Sequence, residues 1–340
     1  MSWSRDENAE YDRPQRRTRP RTKNRPSHDD AQIGVVITID RGRVTCLVDP
    51  QTPDERLVTA TKARQLGRRA VVVGDRAKLV GDLTGEDGTL ARIVGVEDRT
   101  TVLRRTADDD DPVERVIVAN ADQLGMVVAL ADPPPRTRLI DRCLVAAYDA
   151  GMDPLLVLTK SDLADPRELL ALYEPLGVLA VVTTREDDPE PIRHMLVDRT
   201  TVLVGHSGVG KSTLVNALVP DANRSVAGVN AVTGRGRHTS TSAIALAVPG
   251  GGWIVDTPGI RSFGLAHVTP DRILEAFGDL AEITVDCPRG CQHTTGAQEC
   301  AFDVAIAEDR ADPHRVASFR RLLDARLGNE EGSPDGERSG

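Results

Sequence analysis

The chain has 340 residues, of which 39% are hydrophobic and 3% aromatic, and its formal net charge is −9. That length calls for two or three domains, with cores filled by Val, Leu, Ile and Ala. No apolar run approaches the ~20 residues that cross a bilayer, and the polar N-terminus lacks the apolar segment of a secretory signal, so a soluble cytoplasmic protein is expected.

Between Arg13 and Arg25 seven Lys or Arg occur without an acid, interleaved with Pro14 and Pro20. Such a segment cannot bury a core, and residues 1–30 are expected to form a disordered basic tail, serving solubility or contact with RNA phosphates. From 32 to 96, strand-like runs at 33–39, 44–48, 57–60, 70–73 and 91–96 alternate with turn residues. They predict a small all-β barrel, of the oligonucleotide-binding or the SH3-like type. From Val116 the rhythm changes to strands at 116–119, 126–130, 155–158, 178–182 and 201–204, with helical spacing over 137–150. This alternation predicts a parallel sheet covered by helices on both faces. The acidic run at 108–111 reads as a solvated loop. Beyond Thr269 come a short helix, a Cys/His cluster and a helix that Asp312 can cap and Pro313 can open. The expected units are a barrel over 31–105, an α/β domain over 106–268, a small C-terminal helical domain over 269–327 and a disordered tail over 328–340. Cys46 and Cys143 lie alone in apolar stretches and are expected to be small buried hydrophobes.

The strongest chemical signal is the run Gly205-His206-Ser207-Gly208-Val209-Gly210-Lys211-Ser212, between a strand and an apolar-periodic helix. This is a phosphate-binding loop: glycines let backbone N–H groups converge on the phosphates, and the helix start adds positive potential. Lys211 should reach the β- and γ-phosphates, Ser212 should bind Mg²⁺, and Thr213 follows within the same loop-to-helix turn. Downstream, Trp253-Ile254-Val255-Asp256 is a strand ending in a carboxylate, followed by Gly259. Asp256 there would hold Mg²⁺ through water, and the Gly259 N–H would sense the γ-phosphate. Thr159-Lys160-Ser161-Asp162 follows another apolar strand and has the pattern of a guanine-recognition motif. The Asp162 carboxylate can accept from guanine N1–H and N2–H₂, donors that adenine lacks; Lys160 would lay its stem along the base.

The guanine motif precedes the phosphate loop, the reverse of the usual GTPase order, which describes a circular permutation. Between the phosphate loop and Asp256, Gly234-Arg235-Gly236-Arg237-His238-Thr239-Ser240-Thr241 reads as switch I. Thr239 is the candidate to complete Mg²⁺ coordination, with Ser240 and Thr241 as rivals. Position 260 is Ile, which cannot orient water, and His238 is the candidate catalytic residue in its place, against an RNA-contact or structural role. Since the chain leaves the core just after Gly259, the C-terminal module is expected to move on hydrolysis. Cys287, Cys291, His293 and Cys300 supply a Cys₃His set for a closed, structural Zn²⁺.

Taken together, these motifs resemble the ribosome small-subunit-dependent GTPase A family. The resemblance spans roughly residues 32–327 and is carried by Ala119-Asn120-Ala121-Asp122-Gln123, TKSDL at 159–163, GHSGVGKSTLVNAL at 205–218, GRGRHTS at 234–240, DTPGIRSF at 256–263 and the Cys/His cluster. It implies a multidomain fold: an N-terminal OB-fold barrel that binds RNA, a central circularly permuted P-loop GTPase and a small α-helical zinc domain. It further implies binding of GTP/GDP, Mg²⁺ and one Zn²⁺, with hydrolysis of GTP stimulated by the small (30S) ribosomal subunit and its 16S rRNA late in assembly. His206 stands where the family usually has Gln, and Ser240 where it usually has Thr. A non-ribosomal P-loop GTPase engaged in metal trafficking or RNA binding is the alternative, and a monomer is the default.

Overall fold

The structure, a computed structural model, describes residues 28, 30–66, 71–105, 115–220, 243–257, 265 and 268–327. The two tails, the acidic run at 108–111, the switch I motif with His238 and Thr239, and Gly259 lie outside the described residues.

Five strands form the N-terminal barrel: β1 (Gln32–Asp40), β2 (Arg43–Val48), β3 (Arg56–Lys62), β4 (Arg76–Gly81) and β5 (Ala91–Val96). Their order is β1-β2-β3-β5-β4, closed by pairing of β4 with β1, and β3 runs parallel to β5. This is the oligonucleotide-binding barrel implied by the family resemblance. Its interior holds Val36, Val44, Cys46, Val48, Val58 and Leu79, fully or almost fully buried. The run at 70–73 is not the fourth strand. Val73 forms an isolated bridge to Val118, and Val72 donates its N–H to the Asp75 carboxylate. Asp75 is itself buried and is gripped by Arg99 through two hydrogen bonds of 2.7 and 2.9 Å. The strand lies further on, at Arg76–Gly81, where buried Ala77 and Leu79 alternate with Arg76 and Lys78.

The expectation of a parallel strand at 116–119 is also corrected. β6 (Val102–Arg105) and β7 (Arg115–Ala119) pair antiparallel as a separate two-stranded sheet. Leu103 and Val118 belong to the same apolar cluster as the helices of the α/β layer. Asn120, at φ 55°, is the joint between this hairpin and the barrel. Its side chain donates to the Gly74 carbonyl (2.9 Å) and accepts from the Thr100 N–H (2.9 Å). Two residues on, the Asp122 carboxylate accepts from the Thr200 N–H at 2.7 Å.

The α/β layer contains β8 (Gln123–Ala129), α1 (Thr137–Ala150), β9 (Asp153–Thr159), α2 (Arg167–Tyr173), β10 (Leu179–Val182), α3 (Glu190–Leu196), β11 (Thr200–Val204), α4 (Lys211–Leu218), β12 (Ile244–Ala247) and β13 (Trp253–Asp256). The sheet order is β10-β9-β8-β11-β13-β12; all neighbours are parallel except β12 with β13. Alternation along β9 sends Leu155 and Val157 toward α3 and α4, and Leu156 and Leu158 toward α1. The sheet does not stop at β12, which pairs with β1 of the barrel.

The C-terminal part comprises α5 (Pro270–Glu275), α6 (Gly278–Ile283), α7 (Ala301–Ala307) and α8 (Pro313–Leu327). Asp312 accepts from the His314 N–H at 2.8 Å, as expected of a cap. Three of the four Phe of the chain cluster here: Phe277 and Phe302 both meet Phe319 edge-on, at 5.3 and 5.8 Å. Arginines of α8 then fasten the unit to the α/β layer. Arg321 pairs with Asp141 of α1, and Arg315 grips Asp279 while donating to the Pro175 carbonyl. No helix among the described residues is long and apolar enough to cross a membrane.

Gly74 has φ +88°, and a Cβ there would stand 1.9 Å from the Ala119 carbonyl oxygen. Gly74→Ala should therefore destabilise the protein by at least about 2 kcal/mol, through strain and a forced parting of barrel and hairpin; thermal or urea denaturation measures it.

Candidate functional site

The site lies at the carboxyl ends of β9, β10, β11 and β13, where an open parallel sheet leaves strand-to-helix loops free to converge. Gly205 begins the loop after β11 and presses on the neighbouring strand: a Cβ there would sit 2.6 Å from the Val127 carbonyl oxygen. Ser207 and Gly208 are exposed at the turn, and Gly208 and Gly210 both have positive φ. Val209 is buried in the core beneath, which anchors the loop. Lys211, Ser212 and Thr213 form the first turn of α4, with Ser212 and Thr213 exposed toward the cleft.

A cleft of about 640 Å³ brings the separate motifs together. Thr159, Lys160 and Asp162 line one end, and Gly205, Ser207, Gly208 and Gly210 to Thr213 line the other. Thr159 is buried, and its hydroxyl donates to the Val209 carbonyl at 2.6 Å. This bond ties the guanine motif directly to the phosphate loop, across 50 residues of sequence. Lys160, at φ 58°, turns its ammonium onto the Asp132 carbonyl of the loop before α1. Lys211 is ion-paired with Asp256, which stands at the end of β13 as the sequence suggested. Beneath them, the Thr257 hydroxyl donates to the Leu203 carbonyl at 3.0 Å.

Sequence reasoning missed the loop after β10. Thr183, Thr184 and Arg185 line the cleft beside Asp162, and the Thr183 N–H is bonded to the Leu158 carbonyl at 2.8 Å. The signal was available: a short apolar strand ending in two Thr at the same edge of the sheet as the other motifs. The expected contributions of His238, Thr239 and Gly259 fall outside the described residues.

The second constellation is the Cys/His cluster, between α6 and α7. One ligand atom each from Cys287, Cys291, His293 and Cys300 lies within 4.8 Å of the others. His293 Nδ1 is 3.5 Å from the sulfurs of Cys287 and Cys291 and 3.8 Å from that of Cys300. Such spacings match the edges of a tetrahedron with metal–ligand bonds of about 2.0–2.3 Å, so the residues fit a closed zinc site. Burial holds the His293 imidazole below its ordinary pKa, in the neutral form that ligates metal. The Ala301 N–H donates to the Cys287 sulfur at 3.3 Å, and Arg320 supports the His293 carbonyl while pairing with Asp303. Cys46 and Cys143 are buried and free, as expected.

Comparison with known proteins agrees with this geometry. Residues 96–266 match the family model described as RsgA GTPase. A Chlorobaculum parvum protein named small ribosomal subunit biogenesis GTPase RsgA is 35% identical over 301 residues, covering 86% of this chain and 94% of that relative. One of the same name from Ectopseudomonas mendocina is 40% identical over 216 residues, covering 61% of this chain and 62% of that one. Among solved structures, YjeQ from Thermotoga maritima superposes with a TM-score of 0.63 at 25% identity, over 88% of this chain and 99% of that one. YloQ, described as a circularly permuted GTPase, gives the same TM-score at 21% identity, over 91% and 99% of the two chains.

The zinc fit is tested by Cys300→Ser. Metal content measured by mass spectrometry should fall from one zinc per chain toward zero, and stability should drop by on the order of 4 kcal/mol. Guanine-nucleotide affinity, expected of the cleft lined by Thr159, Lys160, Asp162 and the 205–213 loop, should hardly change.

Proposed function

The chain belongs to the RsgA GTPase family, and from that premise we propose that it hydrolyses GTP in the late maturation of the small ribosomal subunit in the cytoplasm. It binds that subunit and its 16S rRNA in the GTP state and is stimulated by it. The observation that carries the reading is the bond from Thr159 to Val209, because it joins a guanine motif and a phosphate loop that occur in permuted order into one cleft.

Within the cleft, Asp162 selects guanine and the Lys160 stem covers the base. Backbone N–H groups of Gly208 and Gly210 through Thr213 surround the phosphates, and Lys211 exchanges Asp256 for the β- and γ-phosphate oxygens. Ser212, Thr239 and Asp256 are the residues that would hold Mg²⁺, which when bound neutralises charge developing on the phosphoryl group. His238 is assigned to positioning the attacking water, and Gly259 to sensing the γ-phosphate; both assignments rest on the sequence motifs. Ile260 cannot orient the attacking water, so slow turnover alone and faster turnover with a partner is the expected pattern.

The barrel of 31–105, with the basic tail of residues 1–30, is assigned to rRNA. The helical unit of 269–327 is assigned to a structural zinc held by Cys287, Cys291, His293 and Cys300. Four mutually close protein ligands leave no open coordination position, which supports a structural metal and speaks against metal trafficking. The protein is taken to act as a monomer.

Steady-state GTP hydrolysis should rise strongly on adding purified small, but not large, ribosomal subunits. Lys211→Ala should lower the stimulated rate by about 100-fold or more; equal rates with and without subunits would refute the ribosomal reading. Asp162→Asn should weaken GTP binding by about 100-fold and shift preference toward xanthine nucleotides, as read by competition binding.

A further inference from the structure

Barrel and sheet meet along one seam, and that seam reaches the nucleotide cleft. Thr38 of β1 pairs with Ile244 of β12, Ile244 pairs with Asp256 of β13, and Asp256 pairs with Leu203 of β11. A single cross-strand rung thus runs from the barrel, through the residue that holds Lys211, to the strand ending at the phosphate loop. The Thr38 hydroxyl donates to the Ala243 carbonyl at 3.2 Å. Beside it, Ile37, Leu47 and Leu57 of the barrel pack on Ala245 and Trp253. Trp253 opens the short strand that Asp256 closes.

The same outward face of the barrel carries an imperfection. Thr45 is the cross-strand partner of both Thr38 and Thr59. Side chains two residues apart share a face of a strand, so these hydroxyls lie on the side of Leu47 and Leu57, turned to the sheet. Among the described residues the Thr45 and Thr59 hydroxyls are buried there without a hydrogen-bond partner. A buried hydroxyl with no partner destabilises the arrangement that buries it, whereas valine has the same shape and no such cost. The seam therefore combines a single pairing rung at Thr38 with a built-in penalty on the strands next to it.

We propose that this seam is a nucleotide-dependent joint, which makes the barrel a built-in reader of the cleft. The arrangement described here belongs to the state in which Lys211 pairs with Asp256. A diphosphate offers Lys211 its β-phosphate alone and a triphosphate the γ-phosphate as well, so the triphosphate draws Lys211 further from Asp256; the Thr38–Ile244–Asp256 rung then resets and the barrel shifts against the sheet. The inference rests on reading the cleft as a guanine-nucleotide site. Coupling of this kind is reciprocal: tightening the seam disfavours the triphosphate relative to the diphosphate, and loosening it does the opposite.

The test uses the full chain with Trp3→Phe, leaving Trp253 as the sole tryptophan. Affinities for GDP and for a non-hydrolysable GTP analogue are measured by calorimetry. Thr45→Val with Thr59→Val should raise the melting temperature and lower the analogue-to-GDP affinity ratio by about fivefold. Thr38→Val should raise that ratio, and Thr38→Ser, which keeps the hydroxyl, should restore it. Trp253 emission should differ between the two nucleotide states. If the variants shift melting temperature while the ratio stays within about twofold of the parent, the seam is merely structural and the proposal fails. Should a variant not fold, identical Trp253 spectra with the two nucleotides would overturn the proposal on the parent protein alone. Absence of binding to either nucleotide would instead remove the reading of the cleft on which the joint depends.

Discussion

The bond from the Thr159 hydroxyl to the Val209 carbonyl is the constraint on which the cleft depends. It spans the ends of β9 and α4, elements that sit in the usual spatial relation although the chain visits them in reversed order. The bond is possible because β8 pairs in parallel with both β9 and β11, which brings two strand ends to one edge. The short Thr side chain reaches the loop while remaining buried. Lys160 and Asp162 follow on a backbone that turns through positive φ at Lys160, so their side chains are presented to the cleft. Permutation changes which segments are continuous and leaves this local packing as it was.

What was legible in the sequence follows from how local its cause is. The helix over 137–150 was readable to its ends because its apolar period extends over fourteen residues and Gly151 terminates it in the left-handed region. The phosphate loop, guanine motif and zinc ligands were readable because each is a short segment whose chemistry needs those residue types. Strand β4 was missed since just Ala77 and Leu79 face inward, between two cations, while 71–73 offered a stronger apolar run. The segment at 116–119 read as a strand, but nothing in four apolar residues says which strand it will pair with. Asn120 is a similar case. Its motif was recognisable, whereas its work as a joint depends on Gly74 and Thr100, which are distant in sequence. The seam of β1 with β12 was illegible for the same reason.

The C-terminal unit shows how a small helical module acquires a core in a chain poor in aromatics. Phe277, Phe302 and Phe319 are concentrated there, with Arg315 stacked on Phe277 at 5.2 Å. A module of this size has little interior of its own. The zinc ligands close one end, and α8 shares the apolar cluster of α1 at the other. Expected motion of this unit on hydrolysis must therefore carry α1 along or break the contacts of Arg321 with Asp141.

The distance along the chain between the two sides of the seam also shapes how the molecule is made. The Thr38 hydroxyl and the Ala243 carbonyl that it meets are separated by 205 residues. During synthesis the barrel strands, all contained within residues 32–96, emerge first and can close on their own hydrogen bonds. Their outward face of Ile37, Leu47 and Leu57 must then wait, uncovered, until β12 and β13 leave the ribosome. Long-range pairings of this kind form late and expose apolar surface meanwhile. The rung that joins the first strand to the twelfth therefore cannot form before β12 has been synthesised.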